Sequence, residues 1–135
     1  YQVEVMRGIV NKYNVGYMGI DTTGAGSGVY ERVLEFYPRA TNLYYTVALK
    51  TRLVLKAQDI FSSHRFEYCA SHTDIAPSFM AIKKQSSGNN ITFVATRDSN
   101  IGHADVAWSI MHALINEGLN TTGKKGSSYT METEQ

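Results

Sequence analysis

Apolar residues recur at helical spacing from the start of the chain. Val3, Met6, Ile9, Val10 and Tyr13 predict a helix over residues 1–13 with one apolar face and Asn14 as its stop. The pattern then tightens. Val15 to Ile20 is short, apolar and interrupted by two glycines, as suits a buried strand of a mostly parallel sheet, and it ends on a carboxylate, Asp21. A glycine loop follows, and then a helix from Val29 to Tyr37 closed by Pro38. Leu43 to Val47 is rich in β-formers and predicts a strand, and Leu49 to Ser62 predicts a helix. In that helix Leu53, Ala57, Ile60 and Phe61 turn inward, while Arg52, Lys56 and Asp59 take the opposite side.

Further along, Arg65 to Tyr68 is compatible with a short strand. Thr73-Asp74 opens a helix expected to run through Phe79, Met80 and Ile82 to Lys84, with Pro77 tolerated near its start. Residues 85–90 form a turn, and Ile91 to Thr96 a strand. The last helix spans Ala104 to Glu117, with Ala107, Ile110, Met111 and Leu114 on one face and Gly118 just past its end. From Leu119 the chain turns to Asn, Thr, Gly, Lys and Ser, so residues 119–135 are expected to form a mobile tail behind one domain of residues 1–118. Alternating strands and helices, with connections long enough for crossovers, predict an α/β sheet flanked by helices.

Bulk composition narrows the classes only slightly. The chain has 135 residues, 43% hydrophobic and 19% charged, which suits one globular domain with a modest core. A formal net charge of +1 carries no general bias towards nucleic acid or membrane, so any such role must come from local placement of Lys and Arg. The single cysteine, Cys69, excludes an internal disulfide framework and a Cys-cluster zinc site, and fits a reducing compartment. No apolar run has the length of a membrane span and no signal-peptide pattern opens the chain. The chain opens on Tyr1 directly before a helix, which suggests a piece excised from a longer protein.

The candidate chemistry sits where the first strand ends. A carboxylate at the carboxyl end of a strand, facing a loop without bulky side chains, is where α/β folds act on phosphate-containing ligands. The loop Gly24-Ala25-Gly26-Ser27-Gly28 is no P-loop, because no Lys-Ser/Thr pair follows. It also misses the dinucleotide fingerprint, since Val29 stands where the third glycine belongs. Asp21 itself has two readings: bracing of the loop at Thr22 and Thr23, or a functional acid. A second carboxylate, Asp105, opens the last helix in Gly102-His103-Ala104-Asp105, where the helix dipole alone would favour it. The two acids are 84 residues apart in sequence, yet both are expected near sheet ends, where they could converge on Mg²⁺ or Mn²⁺. The four histidines form no HxH or HxxxH pair, which speaks against a His-based zinc site. His112 lies on the same side of its helix as Asp105 and reads as a packing residue, and His103 as a phosphate or water contact.

Four segments in order carry a resemblance. They are Ile20-Asp21-Thr22-Thr23-Gly24-x-Gly26-x-Gly28-Val29-Tyr30; Lys50-Thr51-x-Leu53-Val54-Leu55-Lys56-Ala57; Thr73-Asp74-Ile75-Ala76-x-Ser78-Phe79-Met80-Ala81-Ile82-Lys83; and Gly102-His103-Ala104-Asp105-x-Ala107-Trp108-x-x-Met111-His112-Ala113-Leu114. Together they resemble the carboxyl-terminal nuclease domain of the large terminase subunit of tailed bacteriophages, in the P2-like branch, over residues 1–117. The resemblance implies a ribonuclease-H-like mixed sheet flanked by helices, here truncated at its N-terminal strands. It implies endonucleolytic cutting of concatemeric double-stranded phage DNA by an acidic cluster holding two Mg²⁺ or Mn²⁺ ions. Asp21 and Asp105 match two acids of that cluster; the family's first acid, on the first strand, has no match in this chain.

The resemblance further implies that Gly24, Gly26 and Gly28 let the DNA backbone approach, and that Lys50, Lys56, Lys83, Arg97 and His103 are candidates for backbone contacts. It implies the small terminase subunit and the portal as partners of the full-length protein, an ATP-binding motor domain outside this chain, and action in the host bacterial cytoplasm. With its first acid missing, the piece alone is expected to bind metal weakly and to cut DNA poorly. Two other readings stay open: a phosphate- or nucleotide-binding module of actin-like type using residues 22–28, and an assembly domain whose acids only cap helices.

Overall fold

The structure, a computed structural model, describes residues 1–96 and 104–118. The order of elements is α1 (Gln2–Lys12), β1 (Gly19–Asp21), α2 (Gly26–Leu34), β2 (Thr41–Leu43), α3 (Val47–Ser62), α4 (Ile75–Met80), β3 (Ile82–Ser87), β4 (Asn90–Ala95) and α5 (Asp105–Leu114). β1 and β2 pair in parallel, with Gly19 opposite Thr41, Ile20 opposite Asn42 and Asp21 opposite Leu43. β1, α2 and β2 thus make a βαβ unit, because parallel neighbours need a crossover. β3 and β4 form an antiparallel hairpin from Ile82↔Ala95 to Ser87↔Asn90. Among the described residues no single sheet joins the four strands.

Each pair of strands leans on helices for its stability, since two strands alone are marginal in water. Around the parallel pair, Ile20, Val33, Tyr37 and Ala40 are buried, with Met6 and Val10 of α1 packed over them. The Tyr37 hydroxyl donates to the Val15 carbonyl at 3.1 Å, which ties the end of α2 to the segment entering β1. The second core joins α3, α5 and the hairpin through Leu53, Val54, Ala57, Ala81, Phe93, Ala107, Trp108 and Met111. α3 begins where Thr46 caps it, its hydroxyl oxygen accepting from the Leu49 N–H at 3.0 Å.

Several boundaries differ from the sequence pattern for identifiable reasons. The first strand is only Gly19–Asp21, and α2 starts at Gly26 rather than Val29, so two of the loop glycines are helical. The second strand is Thr41–Leu43, because Tyr45 leaves the sheet and α3 already begins at Val47. Residues 65–68 form no strand. The helix expected to reach Lys84 stops at Met80, and Ile82 to Ser87 is a strand. The run Ile82-Lys83-Lys84-Gln85 is compatible with either state, and pairing with Asn90–Ala95 around Gly88, held at φ +59°, decides it. The last helix ends at Leu114. Residues 119–135, expected as a tail, lie outside the described residues.

Candidate functional site

Asp21 closes β1, and its side chain folds back on the loop: the Thr23 N–H donates to Oδ1 at 2.8 Å. The loop-bracing role is therefore real. It occupies one carboxylate oxygen on one side and leaves capacity for another partner. Thr22 is buried and donates its hydroxyl to Asn42 Oδ1 on the neighbouring strand at 2.5 Å. Thr23 Oγ1 in turn accepts the Tyr45 N–H at 3.0 Å. The turn is thus fastened to both strands of the parallel pair and to the residue that follows β2.

The three loop glycines have different physical reasons. Gly24 sits at φ +63°, where an L side chain is strained. At Gly26 a Cβ would collide with the Asp21 backbone carbonyl, so α2 can start this close to the acid only with glycine there. Gly28 has open space around it. Two loop donors are already spent internally, the Thr23 N–H on Asp21 and the Gly26 N–H on the Thr23 carbonyl. This leaves a poorer phosphate cradle than the glycine content suggests.

Asp105 is exposed in the first turn of α5. Ala104, its N-cap, is fully buried and lies in the left-handed region at φ 59°, a conformation that costs a residue with a side chain roughly 1–2 kcal/mol. Alanine has no side-chain oxygen to cap the helix. The cap comes instead from α4, where the buried Ser78 hydroxyl accepts the Ala107 N–H at 2.9 Å. The position of Asp105 is therefore set by a bend that the core enforces and by a cap lent from another helix.

Tyr45, just past β2, reaches from the Thr23 turn to α5. Its hydroxyl meets His112 Nε2 at 2.5 Å, and its ring packs at 5.5 Å from Trp108. Burial pushes the Tyr45 phenol well above its ordinary range, and Asp21 and Asp105 both push it further up. The phenol thus feels both carboxylates, and α5, which opens on Asp105, packs against β1. His112 is pushed below its usual value by burial, against the opposing pull of Asp21 and of the Gly19 backbone. Its Nε2 shares one hydrogen bond with the Tyr45 hydroxyl. The Lys50 ammonium lies 5.7 Å from the Tyr45 ring and 5.8 Å from the Trp108 ring, so it approaches the same region.

The remaining sequence candidates separate. Lys56 is turned to Glu117 at 3.4 Å with only 10% of its side chain exposed, and Arg65 bridges Glu117 and Asp59 in the same network. Lys83 is exposed on the hairpin, away from the parallel pair. Arg97 and His103 lie outside the described residues. Tyr45 and Ser78 were not singled out by sequence reasoning. Parallel pairing of β2 with β1 was the available signal for Tyr45, because a residue just past β2 must emerge at the same end as Asp21.

Two carboxylates offer hard oxygen donors of the kind that suit Mg²⁺ or Mn²⁺, which are commonly held by one or two carboxylates with waters retained. Among the described residues no group of three or more His, Cys, Asp or Glu side chains gathers at one point. His112 Nε2 is engaged by the Tyr45 hydroxyl.

A βαβ unit whose first strand ends on an acid, packed against a helix that opens on a second acid, fits a ribonuclease-H-like domain. The terminase RNase H-like domain family matches residues 2–117, and the chain belongs to that family. It is 50% identical over 120 residues to the "Terminase, ATPase subunit" of Escherichia phage P2, covering 87% of this chain and 20% of that protein. It is 42% identical over 137 residues to the "Probable terminase, ATPase subunit" of Haemophilus phage HP1, covering 99% of this chain and 23% of that protein. The chain thus spans about a fifth of the length of these curated relatives. No solved structure matches.

Proposed function

We propose that this domain is the DNA-cutting part of a phage DNA-packaging terminase, with Asp21 and Asp105 as metal ligands. The observation that carries the reading is that α5, which opens on Asp105, packs against β1, which ends on Asp21, within a family of terminase RNase H-like domains. Mg²⁺ or Mn²⁺ bound there in a two-metal arrangement would supply charge stabilisation and an activated water for hydrolysis of a DNA phosphodiester. The residues of this chain hold and orient. Thr23 fixes the Asp21 carboxylate through its N–H, and the Ser78 cap and Ala104 bend fix Asp105. Lys50, partly buried beside Tyr45 and Trp108, is the basic residue best placed to meet a DNA phosphate near the acids. Lys83 can add a contact from the hairpin, and Gly24, Gly26 and Gly28 keep the approach to Asp21 free of side chains. Lys56 is left out of the DNA-contacting set because Glu117 holds it.

In this reading the substrate is double-stranded phage DNA in concatemeric form, cut in the host cytoplasm. The small terminase subunit and the portal are partners of the whole protein, and ATP is bound by a separate motor domain. Among the described residues no helix is long and apolar enough to cross a membrane. The decisive experiment uses the terminase that carries this domain, assayed for Mn²⁺-dependent cleavage of plasmid DNA. Asp21→Asn and Asp105→Asn are each expected to abolish cutting while leaving ATP hydrolysis intact. Full cleavage by either variant overturns the assignment.

A further inference from the structure

The two acids sit on elements that share no strand pairing, and a chain of hydrogen bonds runs from the Asp21 loop to the helix that carries Asp105. On the strand side, Gly19 lies two residues before Asp21, in a strand that α5 packs against. His112 projects from α5 seven residues after Asp105, two helical turns along the same face. Its Nε2 meets the Tyr45 hydroxyl at 2.5 Å. Tyr45 then returns to the strand side through its N–H, which donates to Thr23 Oγ1 at 3.0 Å, and the Thr23 N–H holds Asp21 Oδ1 at 2.8 Å. From the helix that carries Asp105, this circuit runs through His112, Tyr45 and Thr23 to the carboxylate at the end of β1.

Packing makes this circuit stiff. His112 is only 9% exposed, and its ring meets the Tyr45 ring edge-on at 5.5 Å. Trp108, one turn back on α5, packs against the same tyrosine. A buried polar pair of this kind is costly if half-satisfied and specific if complete, and no buried side-chain polar atom of the described residues lacks a partner. Neither Tyr45 nor His112 is needed to fill the core by apolar bulk alone, since phenylalanine or leucine would do so. Their polar atoms have a more particular use.

We propose that Tyr45 and His112 are positioning residues, a strut between β1 and α5 that fixes the separation of Asp21 and Asp105 and thereby sets the affinity for a divalent cation. This inference rests on the metal reading of the acids given above. Groups that orient metal ligands from behind typically change metal affinity or activity by about 10–100-fold when they are removed.

The test uses the terminase that carries this domain, without nucleotide. Mn²⁺ binding is followed by titration calorimetry, the metal-free melting temperature is recorded, and plasmid cleavage is measured against Mn²⁺ concentration. Tyr45→Phe is expected to weaken Mn²⁺ binding about 10-fold or more, while the lost hydrogen bond lowers the metal-free melting temperature by only about 4 °C. Cleavage should fall at limiting Mn²⁺ and recover at saturating Mn²⁺, with KM for DNA unchanged. His112→Gln, which can still donate and accept, should retain affinity that His112→Ala loses. The double variant Tyr45→Phe/His112→Gln should bind Mn²⁺ no more weakly than the worse single one, because the pair acts as a unit. Unchanged Mn²⁺ affinity in Tyr45→Phe, or a loss confined to melting temperature, overturns the strut. Asp21→Asn separates the two ideas. If it abolishes Mn²⁺ binding while Tyr45→Phe does not weaken it, only the strut is wrong; if it leaves binding intact, the metal reading falls and takes the strut with it.

Discussion

Gly26 and Gly28 stand two residues apart in the first turn of α2, yet the structure assigns them opposite responses to the same substitution. Alanine at either position should gain from helix propensity and from a less flexible unfolded chain, by up to about 1 kcal/mol. At Gly28 nothing lies within contact of the added Cβ, so that gain is realised in full. At Gly26 the Cβ meets the Asp21 carbonyl, a backbone group that cannot rotate away. Overpacking typically costs about 1–3 kcal/mol, and a clash with backbone belongs at the upper end or beyond. Subtracting the propensity gain leaves Gly26→Ala destabilised by roughly 2 kcal/mol and Gly28→Ala stabilised by roughly 0.5–1 kcal/mol. At about 4 °C per kcal/mol for a domain of this size, the two melting temperatures should part by on the order of 10 °C. Thermal unfolding followed by circular dichroism, supported by urea titration, measures both. A Gly26→Ala protein that melts at or above the parent would refute the close packing of α2 on Asp21 and the reason given for that glycine.

Other substitutions probe the supports of the site. Ser78→Ala removes the cap on α5 and leaves the buried Ala107 N–H unpaired, at a cost of about 1–3 kcal/mol readable in urea; a neutral result means that the helix caps itself. The lowered His112 value makes a pH prediction: the unfolded chain takes up a proton near pH 6.5 that the folded ring resists. The folded state's advantage is therefore complete above that pH and declines as pH falls through the window below it. His112→Gln should flatten this part of the stability–pH profile, and an unchanged slope rules the histidine out as its source. Glu117→Gln should cost about 1 kcal/mol at low salt and less at high salt, because Glu117 joins Lys56 and Arg65.

The sequence carried the elements better than their edges. The amphipathic stripes of α1, α3 and α5 were legible because they bury one face, and Val3, Leu53, Ala57, Ala107 and Met111 are indeed inside. Ile82 to Ser87 was not legible as a strand, since its partner, not its own pattern, decides its state. Asp21 was visible as a strand-end acid, and its bracing of the loop could be named from its position before Thr22 and Thr23. Tyr45 was hidden inside a run that looked like a strand, and Ser78 inside a helix that looked amphipathic. Both act across long sequence separations, and only the fold brings them to their partners.

Those separations also bear on the order in which the molecule assembles. The Ser78–Ala107 bond closes 29 residues and the Tyr45–His112 bond closes 67, whereas the Thr23–Asp21 bond spans 2. Closing a long loop costs entropy before any contact repays it, so local turns form ahead of such pairings. The brace on Asp21 can exist in a chain that has hardly begun to fold. The seating of α5 against β1 cannot, because α5 has neither its cap nor its bond to Tyr45 until distant parts of the domain have come together. On the proposed metal reading, competence to bind at Asp21 and Asp105 is therefore a late event in folding.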